Sequence, residues 1–255
     1  MSKPLRIAWL TTGRGPGSYG ALEHLLGAIE RGLPVEPAVV FVNREPGEYE
    51  ATDRLHQLVG AHGIPLETLS SVGFRKSRGG KLSKPGEPLP AWRLEYDVEV
   101  AKRLAGYDFA LGVMFGYMLI ATEPLFGRHT FINDHPALPD GPTGTYQEVI
   151  GELMRTGARE SGCMMNLVTG DVDRGPVVSL CRYAIRDEAS ASLWEEHAMG
   201  AAAEENPLYA EIRRRGVLRE RPFLVETLRA VASGHLAVPP ATPLDLTDAV
   251  EARLG

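Results

Sequence analysis

The stretch that most constrains this chain is its opening. Residues 5–10, Leu5-Arg6-Ile7-Ala8-Trp9-Leu10, run into a glycine-rich segment over 11–20 and then into a helical pattern. The first piece is short and apolar, as a buried strand is. In the third, Leu22, Leu25, Leu26 and Ile29 recur on one helical face, and Gly32 is placed to end it. Strand, glycine loop and helix open a nucleotide-binding α/β fold, in which backbone N–H groups and a helix N-terminus face an anion. Gly15-Pro16-Gly17-Ser18-Tyr19-Gly20 also fits GxGxxG, with Glu45 beyond a second strand over 38–42, so a dinucleotide site is a rival reading. Against it, Pro16 removes a donor and Arg14 lengthens a turn that is normally tight.

The chain continues in the same alternation. Residues 51–62 read as a helix with Leu55, Leu58 and Val59 on one face, ended by Gly63, and 64–66 as a short strand. Residues 74–92 are rich in Arg, Lys, Gly and Pro and read as a basic, mobile insertion that cannot pack; it is either a solvated loop or a lid over an anionic ligand. A helix opens at Trp92 with Leu94, Val98, Ala101 and Leu104 expected inward. The apolar strand 108–114 then leads to Phe115-Gly116-Tyr117-Met118-Leu119-Ile120, which suits core packing or a pocket for a flat heterocycle.

The segment Phe131-Ile132-Asn133-Asp134-His135-Pro136 is a strand stopped by proline. Residues two apart on a strand share a face, so Asn133 and His135 present a carboxamide and an imidazole side by side at a strand end. Beyond it come a helix over 145–155, with Tyr146, Val149, Ile150 and Leu153 on its buried side, and two strands, 162–169 and 177–183. The acidic turn over 170–176 makes these two a hairpin. The C-terminal part reads as helical: 189–203 with Leu193, Trp194, His197 and Met199, a helix from Pro207 that ends at Arg213-Arg214-Arg215-Gly216, and another marked by Phe223, Leu224, Leu228 and Val231. The arginine run is either a solvated face or a contact to phosphate. Residues 236–255 form a tail that is docked or loose.

With 255 residues and 44% hydrophobic residues, the chain suits one α/β domain over 1–235 followed by that tail. A formal net charge of −6 argues against nucleic acid as a partner. The absence of a long apolar run or signal pattern argues against a membrane and for a cytoplasmic protein. The two cysteines, Cys163 and Cys181, lack metal-ligand spacing and read as buried reduced thiols.

Three separated pieces, Asn133-Asp134-His135-Pro136, Asp173-Arg174-Gly175-Pro176 and the early glycine loop, resemble the folate-dependent formyltransferases, most closely the branch whose acceptor is glycinamide ribonucleotide. The resemblance runs from Leu5 to about Tyr183 and implies a Rossmann-like, mostly parallel sheet with helices on both faces, a C-terminal hairpin and a helical extension. It implies Asn133, His135 and Asp173 as catalytic residues. For the cosubstrate 10-formyltetrahydrofolate it implies Met114, Phe115, Gly116, Tyr117, Met118, Leu119, Ile120, Val168, Thr169, Gly170 and Asp171. For a phosphorylated amine it implies Gly13, Arg14, Gly15, Gly17, Ser18, Tyr19 and Arg93. No metal is called for, the partners are small molecules, and a homodimer is left open. The chain departs from the family pattern in its longer phosphate loop, in Leu119 where an Arg is usual, in Asn166 where a His is usual, and in Ala137-Leu138-Pro139-Asp140-Gly141 after the catalytic strand. Hydrolysis of the formyl folate, or transfer to another amine, is the alternative.

Overall fold

The computed structural model describes residues 3–82, 87–198 and 206–254. The chain forms two compact units, Met1–Asn133 with Leu167–Gly175, and Asp134–Asn166 with Pro176–Gly255.

The first unit is built on β1 (Leu5–Thr11), α1 (Pro16–Glu30), β2 (Val35–Val42), α2 (Glu50–Ala61), β3 (Leu66–Thr68), α3 (Ser71–Ser77), α4 (Trp92–Leu104), β4 (Leu111–Met114), α5 (Glu123–Phe126) and β5, a strand over Phe131–His135 that runs on into the second unit. All strand pairs within this unit are parallel: β1 with β2 and β4, β2 with β3, and β4 with β5. Ile7, Ala8, Trp9 and Leu10 are buried on both faces of β1, which is why the strand reads as a continuous apolar run without alternation. The core joins β1, β2 and β4 to α4 through Leu10, Phe41, Tyr96, Val100, Leu104 and Met114. Each such fully buried aliphatic side chain contributes about 1.5–3 kcal/mol relative to exposure.

Because β2 lies on one side of β1 and β4 on the other, the chain direction across the sheet reverses between β1 and β4. In open α/β sheets such a reversal, beyond the strands' carboxyl ends, is the place where ligands bind. Register aligns the ends: Leu10 pairs with Met114, and Met114 with Asn133.

Two expectations for this unit need correction. Residues 74–77 are not part of a loop but close α3, where the Phe74 ring meets Tyr96 edge-on at 5.4 Å and Arg78 pairs with Glu95 at 2.9 Å. Aromatic packing and a cap from Ser70, whose side chain accepts from the Gly73 N–H, order this basic stretch. In α4, Leu94 points outward at 48% exposed, while Arg93 and Asp97 point inward.

The second unit holds α6 (Tyr146–Thr156), β6 (Glu160–Leu167) up to Asn166, β7 (Val177–Ala184), α7 (Ala191–Ala198), α8 (Pro207–Ala232), β8 (Leu244–Asp245) and α9 (Thr247–Glu251). β6 and β7 form the antiparallel hairpin, with Cys163 opposite Cys181, both buried free thiols. Thr145 and Glu148 make a capping box at the start of α6, and Gly157 in the left-handed region ends it. Tyr146 lies outward on that helix, covered by the Arg213 guanidinium at 4.2 Å from the ring centre. The tail is docked: β8 pairs parallel with β7, and Leu246 and Val250 are buried.

The helix from Pro207 does not end at Gly216. It continues through Gly216 and Pro222 to Ala232, because every residue from Pro222 to Leu228 is buried and packing outweighs the propensity cost of both breakers. The arginine run is an ion-pair network. Arg213 pairs with Glu220 at 2.9 Å, Arg214 with Glu211 at 2.8 Å, and the mostly buried Arg215 with both Glu211 and Asp187. Met199 and residues 200–203 lie outside the described residues.

Arg215 and Ser190 hold the Asp187 carboxyl down at about 2, and Arg214 and Arg215 hold Glu211 at about 2. A carboxyl depressed by folding adds stability that is complete above its unfolded value and is lost as pH falls through the folded value. We therefore predict that the urea midpoint falls as pH drops from 4.5 towards 2. Arg215→Met should be less stable at neutral pH and show a flatter profile in that window; an unchanged profile would remove these pairs from the account.

Candidate functional site

At the end of β1 the chain is held by short-range contacts. The Gly13 N–H donates to Thr11 Oγ1 at 3.2 Å, and the Gly13 carbonyl accepts from Thr52 Oγ1 at 3.2 Å. Gly13 has φ +69°, a left-handed conformation that glycine adopts at little cost. Gly15 is the extended N-cap of α1, with no side-chain cap and no acidic residue in the first turn. Pro16 sits at the first helical position, where its missing N–H costs nothing. Gly17 and Ser18 follow in that first turn, and the Tyr19 N–H reaches the Gly15 carbonyl at 3.5 Å. An uncapped helix start without a carboxylate is a favourable place for an anion. Arg14 is exposed, its guanidinium 5.5 Å from the Tyr49 ring centre.

Beyond β4, the segment 114–120 leans against that loop. Met114 and Phe115 are buried, Phe115 stacked on Trp9 with ring centres 5.7 Å apart. The Thr12 N–H donates to the Gly116 carbonyl at 3.0 Å, and the Met118 N–H donates to Thr12 Oγ1 at 2.9 Å. Gly116 has φ +63°, and a Cβ there would stand 2.4 Å from Ser18 Oγ. The left-handed backbone favours glycine here, and any larger residue would also have to turn the Ser18 hydroxyl aside. Tyr117 is buried, and burial holds its phenol well above the ordinary value. Met118 and Ile120 stand 61% and 42% exposed, with Leu119 half-buried between them. Sequence reasoning passed over Thr12. Its signal was a small hydroxyl residue at a strand end, a common feature that gains meaning only from its two partners.

On β5, Asn133 Nδ2 lies 3.5 Å from Asp173 Oδ1 and donates to it. Asp173 has φ +55°, the single non-glycine residue with positive φ among those described. Such a backbone costs about 1–3 kcal/mol and persists where its surroundings impose it. The surroundings are visible here. The Val168 N–H donates to Phe131 O at 2.9 Å, Asp171 N donates to Thr169 Oγ1 at 3.2 Å, and Arg174 N donates to Asp171 O at 3.1 Å. At Gly175 an added Cβ would fall 1.8 Å from the Leu167 carbonyl oxygen. Val168 and Thr169 are half-buried, and Gly170 and Asp171 are exposed.

The formyl transferase family model matches residues 51–205, more than half of the chain. The chain belongs to the formyl transferase family. By this membership it is a folate-dependent formyltransferase, in a family that uses formyltetrahydrofolate as cosubstrate. Comparison with curated proteins gave no match. Among solved structures it is similar to glycinamide ribonucleotide transformylase 1 from Symbiobacterium toebii, at 22% identity over 95% of this chain and 94% of that one, with a TM-score of 0.66. It is similar to phosphoribosylglycinamide formyltransferase from Coxiella burnetii, at 21% identity over 91% and 88%, with a TM-score of 0.64. It is also similar to a formyltetrahydrofolate deformylase from Pseudomonas syringae, at 17% identity over 91% and 63%, with a TM-score of 0.62. At these identities the likeness is one of fold, and it agrees with the mostly parallel, Rossmann-like sheet.

In this formyltransferase the remaining candidates fall as follows. His135 is 2% exposed and its Nε2 donates to Pro142 O at 2.9 Å. A carbonyl accepts only, so Nε2 is the ring nitrogen that carries the proton of this bond. Asp134 alternates to the opposite side of β5. Burial, with Glu220 nearby, pushes its carboxyl well above the usual range, against the pull of Arg213. Arg93, expected to bind substrate, is 1% exposed and bonded within the first unit, its guanidinium donating to Ile120 O at 2.6 Å and to Asp97 Oδ1 at 3.3 Å. Burial raises the Asp97 carboxyl, opposed by Arg93 and Thr122. Among the described residues no group of three or more His, Cys, Asp or Glu could hold a metal ion, and no helix is long and apolar enough to cross a membrane.

Proposed function

We propose that this formyltransferase moves the formyl group of 10-formyltetrahydrofolate to the amine of glycinamide ribonucleotide, as a cytoplasmic enzyme of purine biosynthesis whose partners are small molecules. The observation that carries this reading is the Asn133 carboxamide directed at an Asp173 held in a left-handed backbone, at the strand end where ligands of such sheets bind. The glycinamide ribonucleotide enzymes among the similar folds support the choice of acceptor.

In this reading the acceptor amine attacks the formyl carbon, and the carbonyl oxygen becomes an oxyanion. The Asn133 amide and a His135 protonated at Nδ1 donate to it. Asp173 takes the proton that the amine loses. Collapse re-forms the carbonyl, breaks the bond to the folate nitrogen and returns the proton to that nitrogen. Residues 114–120 and 168–171 form the folate wall, with Met118 and Ile120 as its exposed apolar part. Gly13, Arg14, Gly15, Gly17, Ser18 and Tyr19 hold the acceptor phosphate at the start of α1. Hydrolysis is the second reading, favoured by the likeness to a deformylase; water then takes the place of the amine.

The test is to mix the purified chain with 10-formyltetrahydrofolate, with and without glycinamide ribonucleotide, and to follow tetrahydrofolate. Turnover that requires the acceptor is the expected result. Equal turnover in its absence would replace the transferase by a hydrolase.

A further inference from the structure

We propose that Arg93, Asp97 and Thr122 are positioning residues: a buried brace that sets the backbone of residues 118–122 so that Met118 and Ile120 meet the folate. The proposal rests on reading 114–120 as the folate wall.

The brace begins with an unusual choice of buried residues. The first turns of α4 turn a guanidinium and a carboxylate inward and leave Leu94 in solvent. A buried ion pair of this kind gains little stability over well-packed apolar residues, because desolvation offsets the attraction. Its partners indicate a different use. Arg93 Nη2 donates to the Ile120 carbonyl at 2.6 Å, while Asp97 Oδ2 accepts from the Thr122 N–H at 2.6 Å and from Thr122 Oγ1 at 2.7 Å. The rings of Trp92 and Tyr96 flank the guanidinium at 5.1 and 5.3 Å and leave it little freedom.

The other end of the same segment is gripped by Thr12, through the Gly116 carbonyl and the Met118 N–H. Fixed at both ends, the loop holds two large apolar side chains out of the core. Holding them there costs hydrophobic burial in the free protein, and a loop without grips would fold them back. A bound flat ring recovers that burial without an ordering cost at the moment of binding. The brace acts on folate affinity through geometry and touches no substrate atom.

Thr122→Val keeps the shape and the N–H but removes the hydroxyl, and Thr122→Ser keeps the hydroxyl. For Thr122→Val we expect KM for the formyl folate to rise about tenfold, with kcat and the acceptor KM within about twofold of wild type. Hydrogen exchange at residues 118–121 should quicken, Thr122→Ser should restore both values, and Arg93→Lys should repeat the Val phenotype. Ile120→Glu tests the wall itself and should raise the folate KM. If Ile120→Glu raises it while Thr122→Val and Arg93→Lys do not, the wall reading stands and the brace is refuted. If Ile120→Glu has no effect, the folate lies elsewhere and the proposal fails with the wall. If Thr122→Val lowers kcat and raises both KM values together, the role is general structure and the proposal is overturned.

Discussion

Asn133→Ala lowers kcat for formyl transfer about a hundred- to a thousandfold, with the KM for the folate little changed. That is the usual consequence of removing one fixed donor from an oxyanion site. The expectation is large because the donor is fixed in place before the substrate binds. Asn133 stands at the end of β5, in register with Met114 and through it with Leu10, so its Cα position is set by the parallel sheet. Its amide is already oriented by Asp173 at 3.5 Å. A preorganised donor acts on the transition state more than on the bound substrate, so the loss should appear in kcat. Steady-state kinetics on the alanine variant measures it. An Asn133→Ala enzyme of near wild-type kcat would show that the oxyanion is held elsewhere.

Gly175→Ala is the second large effect, and it acts through the backbone. A methyl group at this position would be placed 1.8 Å from the Leu167 carbonyl oxygen and 2.9 Å from its carbon. Both are main-chain atoms of Leu167, at the other end of the loop, so no side-chain rotation relieves the contact. The loop must open, and Asp173, two residues earlier, loses the support for its left-handed backbone. We expect about 1–3 kcal/mol of destabilisation from overpacking. Activity should fall further than stability, about a hundredfold, because a shift of about 1 Å at a proton-transferring group is enough. Urea unfolding and kcat on the same preparation separate the two effects. Wild-type behaviour in both would mean that the loop adapts without moving Asp173.

Much of the fold could be read from the chain because its signals are local. The apolar run of β1 and the glycines that follow it are adjacent in sequence, and so are Asn133, His135 and the proline that stops β5. The corrections have a common physical origin in tertiary contacts between distant residues. α4 was expected to bury Leu94 on hydrophobic spacing alone. It buries Arg93 and Asp97 because Ile120 and Thr122, more than 20 residues on, supply their partners. α8 was expected to stop at Gly216, yet Phe223 and Leu224 bury the next turns and extend it past two helix breakers. Within the candidate site, the residue types were legible. The Asn133 to Asp173 contact, the left-handed Asp173 and the two bonds of Thr12 were not, since each depends on where a loop 40 or 100 residues away is carried by the sheet.

In the proposed mechanism a carboxamide, an imidazole and a carboxylate all serve one formyl transfer. Transfer of a 13C-labelled formyl group, followed by NMR, tests it most directly in wild type, His135→Ala and Asp173→Asn, the last keeping a side chain that tolerates the left-handed backbone. The account predicts that the label moves from folate to the acceptor nitrogen in wild type and slows by at least about a hundredfold in each variant. Transfer at the wild-type rate in either variant would contradict it.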